Sequence, residues 1–133
     1  MNSFSGHIAD IRTSDALSVV TVNINASVSF KAIVIDSPET ASYLTKDHPV
    51  NVLFKETEVV IGTGEALAVS LQNKLKGTIS ALEKGPLLTR VAIHTSAGEI
   101  VSVISTASAD ELDLKESTNV TAMIKLNEII LAP

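Results

Sequence analysis

Cysteine and tryptophan are absent from this 133-residue chain, and aromatic residues make up only 3% of it. Without cysteine there is no disulfide and no thiolate metal site, a composition that suits a reducing compartment. The scarcity of aromatic rings removes the stacking platforms on which single-stranded nucleic acids are held. It also assigns the core to Val, Ile, Leu and Ala, which pack well in small sheets. Lys and Arg number 10 against 15 Asp and Glu, a net charge of −5, so there is no basic face to neutralise a phosphate backbone. No apolar run approaches the ~20 residues of a membrane span. Met1-Asn2-Ser3-Phe4-Ser5 has neither the basic nor the apolar region of a secretory signal. Together these absences lead us to expect a soluble, cytoplasmic protein that binds no nucleic acid and no membrane.

What is present is a long internal repeat. Gly6-His7-Ile8, Ile11, Leu17, Val20 and Val22 recur as Gly77-Thr78-Ile79, Leu82, Leu88, Val91 and Ile93, at an offset of 71. The offset then drops to 70, and Leu44, Val50, Phe54-Lys55, Glu58 and Val59-Val60-Ile61 fall on Leu114, Val120, Ile124-Lys125, Glu128 and Ile129-Ile130-Leu131. A period this long exceeds the roughly 20–50 residues of solenoid units and describes a small domain. The predicted modules are 1–64 and 65–133, joined through Gly62-Thr63-Gly64-Glu65. Chains of this size bury only about 60% of their unfolded surface, so each module alone is marginal and should pack on its twin or on other subunits. The negative charge lies mainly in residues 1–65, with 4 Lys and Arg against 8 Asp and Glu.

Apolar residues alternate with period two, as in Val20, Val22 and Ile24 or Val120, Ala122 and Ile124, with turn signals between the runs. The predicted strands are 5–12, 17–25, 28–35, 50–55 and 57–62, then 74–83, 87–95, 98–105, 118–125 and 127–131. A short helix is expected between the third and fourth strands of each copy. In the first it starts at Ser37-Pro38; in the second, Ser108 with Glu111 has the form of a capping box. The fold class is therefore all-β, a tandem of two five-stranded OB-like barrels, each with one short helix. Gly6 and Gly77 read as bulges or points of close backbone approach. Asn73 reads as a brace for a turn or strand end.

Three blocks carry the chemical content: Ser70-Leu71-Gln72-Asn73-Lys74-Leu75-Lys76-Gly77-Thr78-Ile79, Val103-Ile104-Ser105-Thr106-Ala107-Ser108-Ala109, and Ala122-Met123-Ile124-Lys125-Leu126-Asn127-Glu128-Ile129-Ile130-Leu131. In this order they resemble the Mop (TOBE-type) domain of molbindins, whose pattern is S-A-R-N-x-L-x-G-x-V, I-T-x-x-S-A and I-K-A-S-x-V-I-L. The two-copy plan, which covers essentially the whole chain, looks like a di-Mop molbindin. The resemblance implies molybdate or tungstate held at subunit interfaces of a ring-like homo-oligomer, a trimer of two-copy chains. Metal enters only as the oxyanion, and no organic cofactor is implied. The implied oxyanion ligands are Ser70, Gln72, Ser105, Ser108, Ala109, Lys125 and Asn127, with Lys55 a weaker member from the first copy. A tetrahedral dianion accepts hydrogen bonds and donates none, so hydroxyls, backbone N–H groups and one ammonium suit it.

Departures from the pattern shape the expectation. Gln72 stands at the family's arginine and brings no charge, and Ser105 and Asn127 replace a threonine and a serine. In the first copy only Asn2 aligns with the opening motif. Asp36 adds negative charge there and Pro38 removes an N–H, so this copy should bind weakly or not at all. Lys55 and Lys125 also sit where lysines commonly blunt sheet edges. His7, His48 and His94 do not recur between copies, and no catalytic residue is assigned. The alternative reading is a ligand-free structural or interaction module that has lost the oxyanion with its arginine.

Overall fold

The structure, a computed structural model, describes residues 1–65 and 67–133. Ten strands run in chain order: β1 (Asn2–Ser14), β2 (Leu17–Asn23), β3 (Ser29–Val34), β4 (Pro49–Phe54), β5 (Val60–Gly62), β6 (Asn73–Lys84), β7 (Leu88–Thr95), β8 (Gly98–Ser105), β9 (Asn119–Ile124) and β10 (Ile130–Ala132). Helix α1 (Thr106–Glu111) follows β8, and short 3-10 turns occupy Glu56–Glu58 and Leu126–Glu128. All pairings are antiparallel. Strand β1 buries Asn2, Phe4, Gly6 and Ile8 in alternation, the period-two pattern visible in the sequence.

The repeat is preserved down to its irregularities. Register shifts fall between Ile8 and Asp10 in β1 and between Ile79 and Ala81 in β6, so both long strands bend at the same place. Two residues earlier in each, a glycine is obligatory. A Cβ on Gly6 would lie 2.5 Å from the Asn23 carbonyl oxygen, and one on Gly77 would lie 2.6 Å from that of His94. Close backbone approach is thus the reason for both glycines.

The two halves exchange their last strands. The sheets have the orders β10-β4-β1-β2-β3 and β5-β9-β6-β7-β8. Ile130↔Leu53 and Leu131↔Val52 attach the C-terminal strand to the first half, while Val60↔Met123 and Ile61↔Ala122 attach β5 to the second. A second reciprocal tie closes the opposite edges. The buried Asn73 amide accepts from Lys31 N at 2.7 Å and donates to Lys31 O at 2.9 Å. Asn2 does the same to Val101, at 2.8 and 2.9 Å. Each side chain mimics one residue of a neighbouring strand and satisfies the edge strand, β3 or β8, of the other half.

One contiguous core runs through both halves. In the first it is not purely aliphatic, contrary to the expectation from composition. Phe4, Phe30 and Phe54, all the phenylalanines of the chain, form a triangle with centroid separations of 5.8, 6.0 and 5.6 Å. Their repeat counterparts Leu75, Ile100 and Ile124 fill the second core. Few aromatics therefore meant a concentrated cluster, not a uniform dilution.

Two expectations about helices are corrected. The first half has no α-helix between β3 and β4: Thr40 N and Ala41 N both bond to Ser37 O, and the chain then turns again at Leu44 and Thr45. Ser37-Pro38 starts a turn correctly, but the weak helix formers Thr40, Ser42 and Tyr43 do not propagate it. In the second half the helix starts earlier than predicted. Ser105, not Ser108, is the N-cap, its side chain accepting from Ser108 N at 3.0 Å. The last strand of each copy is also shorter than predicted, because residues 56–58 and 126–128 wind into the 3-10 turns. Residues 67–72 also lie outside any strand, and β6 begins at Asn73.

Candidate functional site

Strand β8 delivers Ser105 to the start of α1, and the cap fixes its hydroxyl. Ser105 Oγ accepts from Ser108 N and donates to Ser108 Oγ at 2.9 Å, leaving the Ser108 hydroxyl proton free to point outward. Both serines are exposed. The segment behind them is anchored by Thr106, whose Oγ1 donates to Gly85 O at 2.7 Å and lies 2.9 Å from Thr89 Oγ1. With only six residues in α1, hydroxyls and cations must contribute more than the helix dipole, which is weak in so short a helix.

Ser105 and Ser108 line a cleft of about 510 Å3. Its other wall comes from the first half, through Thr57 and the Val59–Ile61 segment. The 3-10 turn opened by Lys55 packs on β8, and the equivalent turn opened by Lys125 packs on β3. Strand exchange therefore sets each half's lysine turn against the other half's third strand. Lys55, Lys125 and Asn127 are all exposed, and none of them lines the Ser105–Ser108 cleft. Thr57, the repeat counterpart of Asn127, does. Sequence reading missed Thr57; the repeat marked its equivalence, but nothing in the sequence signalled the exchange. Glu111 also lines this cleft, about 9 Å along the helix axis from Ser105 at 1.5 Å per residue.

The matching position in the first half lacks the chemistry. Ile35 stands where Ser105 stands and is 82% exposed, and Pro38 replaces Ser108. Asp36 spends one carboxylate oxygen on Thr40 Oγ1 at 3.0 Å. Beside Lys55, Glu56 is drawn toward other partners: the Met1 amine at 3.6 Å and Arg90 Nε at 3.9 Å.

The remaining implied ligands disperse. Ala109 is buried at 3% exposure, so its methyl belongs to the core. Ser70 is exposed in the connection before β6. Gln72 lines a different cleft, among Lys31, Lys74 and Lys76. Within one chain, the structure brings together only Ser105 and Ser108 of these residues.

The fold is a double all-β body of OB-like modules, with the exposed Ser105 and Ser108 hydroxyls at its candidate cleft. Comparison with known proteins is specific. A TOBE domain model matches residues 70–131. Molybdenum-pterin-binding protein 1 of Clostridium pasteurianum is 35% identical over 66 residues, covering 49% of this chain and 97% of that protein. MopB of Rhodobacter capsulatus is 24% identical over 133 residues, covering 98% of this chain and 49% of MopB. The crystal structure of the cytoplasmic molybdate-binding protein ModG with molybdate bound superposes with a TM-score of 0.89 at 24% identity, covering 98% of this chain and 94% of ModG. The chain belongs to the di-Mop molbindin family. These relatives are named as binding proteins, not as enzymes.

Proposed function

We propose that this chain is a cytoplasmic, non-catalytic binder of molybdate, or of the similarly tetrahedral tungstate, and that it works as a homo-oligomer. The observation that carries the reading is the capped Ser105–Ser108 pair, whose hydroxyls face a cleft completed by Thr57 from the other half. Such donors suit an oxyanion that needs no covalent step and leaves as it came. The names of the relatives and the fold shared with ModG support the ligand. Module 65–133 supplies the Ser105 and Ser108 hydroxyls, and module 1–64 contributes Thr57 from the turn that Lys55 opens. Lys55, two residues before Thr57 at the opening of the same turn, is the candidate cation for Ser105 within a chain. Lys125 and Asn127 would serve a site completed by a neighbouring subunit.

A trimer of two-module chains is the assembly that the family resemblance implies. The surface agrees with self-association: the exposed pairs Leu17 and Leu88, and Val60 and Ile130, occupy equivalent positions of the repeat. Both halves thus offer the same apolar contacts to a neighbour.

Calorimetric titration of the desalted protein with molybdate, with sulfate as control, tests the reading. Saturable heat with molybdate alone is expected, and no heat from a folded oligomer would leave the ligand-free interaction module. Lys55→Ala and Lys125→Ala then locate the site. A tenfold or greater loss on Lys55→Ala places it within a chain, and the same loss on Lys125→Ala places it between chains.

A further inference from the structure

A second cleft, of about 370 Å3, separates the β2–β3 turn from the start of β6. Lys31, Lys74 and Lys76 line it, three of the ten cationic side chains of an acidic protein, and no carboxylate does. None of the three joins an ion pair among the described residues. Lys74 makes one long bond, 3.4 Å to Leu67 O, which leaves it most of its donors. Ser27, Ser29 and Ser96 add hydroxyls to the same walls.

The fold does not require this charge. The repeat equivalents of Lys74 and Lys76 are Ser3 and Ser5, that of Lys31 is Val101, and that of Ser29 is Glu99. The same framework in the other half is thus built without a single lysine, so the cations of this cleft are not the cost of making the fold. The walls are also held in place. Asn73 pins the Lys31 backbone with its two bonds. Asn25 donates to Ser96 O at 3.1 Å while accepting from Ser27 N and Val28 N at 2.9 and 2.8 Å, locking the two hairpin turns together.

We propose that this cleft is an anion-binding site for a small phosphate-bearing molecule, independent of the Ser105–Ser108 cleft. Lysine binds phosphate as a point charge, and three ammonium groups suit a dianion better than a singly charged one. The volume lies at the low end of small-molecule sites, which leaves room for an organic portion beyond the phosphate. No aromatic ring lines it, which argues against a stacked nucleobase.

The test is a 15N–1H NMR titration of the intact protein with inorganic phosphate, against sodium chloride at equal ionic strength. Saturable shifts at the amides of Gln72, Ser29 and Ser96 are expected with phosphate only. The double variant Lys74→Ser/Lys76→Ser and the variant Lys31→Val install the residues that the other half already tolerates, so the fold should survive. Each should weaken the phosphate response at least tenfold. No saturation beyond the chloride control, or an undiminished response in folded variants, would overturn the proposal. Molybdate titration of the same double variant separates the two sites: its heat should persist, and its loss together with the phosphate response would show a single shared site and overturn the independence claimed here.

Discussion

Asn2 and Asn73 show how much a single side chain can decide. Each satisfies both backbone groups of one residue on the opposite half, with every bond between 2.7 and 2.9 Å. Asn73→Ala would leave the Lys31 N–H and C=O without those partners, at a cost of about 2 kcal/mol, the usual penalty for stranding such groups. Urea denaturation should show that loss as a lower midpoint with an unchanged slope. Tyr43 supplies the pH dependence. Burial, and then the charge of Asp36, raise its phenol above the ordinary 10.0. The folded protein therefore retains a proton that the unfolded chain releases, so this contribution is intact below the unfolded pKa. It is lost as pH rises through the folded one. Melting temperatures followed from about pH 9 upward should fall less steeply in Tyr43→Phe.

At the scale of elements, the exchanged strands matter most. Removing residues 130–133 deletes β10 and leaves the edge of β4 bare. Hydrogen exchange at residues 51–53 should then accelerate far more than exchange in β7, which β10 does not touch, and equal acceleration everywhere would mean global destabilisation instead. The strands themselves were legible in the sequence because alternation is a local property. Val20, Val22 and Ile24 announce a half-buried strand wherever its partner lies. The destination of β5 and β10 was not legible. Val59-Val60-Ile61 and Ile129-Ile130-Leu131 are nearly the same segment, so either could add to either sheet with little change in local energy. Connection geometry decides between them, and no residue encodes it alone. The same blind spot concealed Thr57, whose place beside Ser105 follows only from the exchange. The serine pair is visible only through the resemblance of its block to the family pattern, and the capping box read at Ser108 and Glu111 lies three residues past the true N-cap, Ser105.

For the whole molecule, exchange makes the repeat boundary a poor guide to what folds alone. Fragment 1–64 would retain four strands of the first sheet but lose β10, the Phe54 strand's outer partner, and the Asn73 bracket on β3. Fragment 65–133 would likewise lose β5 and the Asn2 bracket on β8. Each would carry two open edges on a domain already near the lower limit for burying a core. We therefore expect neither fragment to give a folded monomer, and their equimolar mixture to recover the native circular dichroism spectrum as β5 and β10 are traded. The intact chain should unfold in one transition, because one core, two exchanged strands and two asparagine brackets join its halves. Calorimetry checks this directly: equal calorimetric and van't Hoff enthalpies fit a single unit. Two resolved transitions, or a fragment that folds alone with full strand content, would show that the halves are independent modules and that the exchange adds little to their stability.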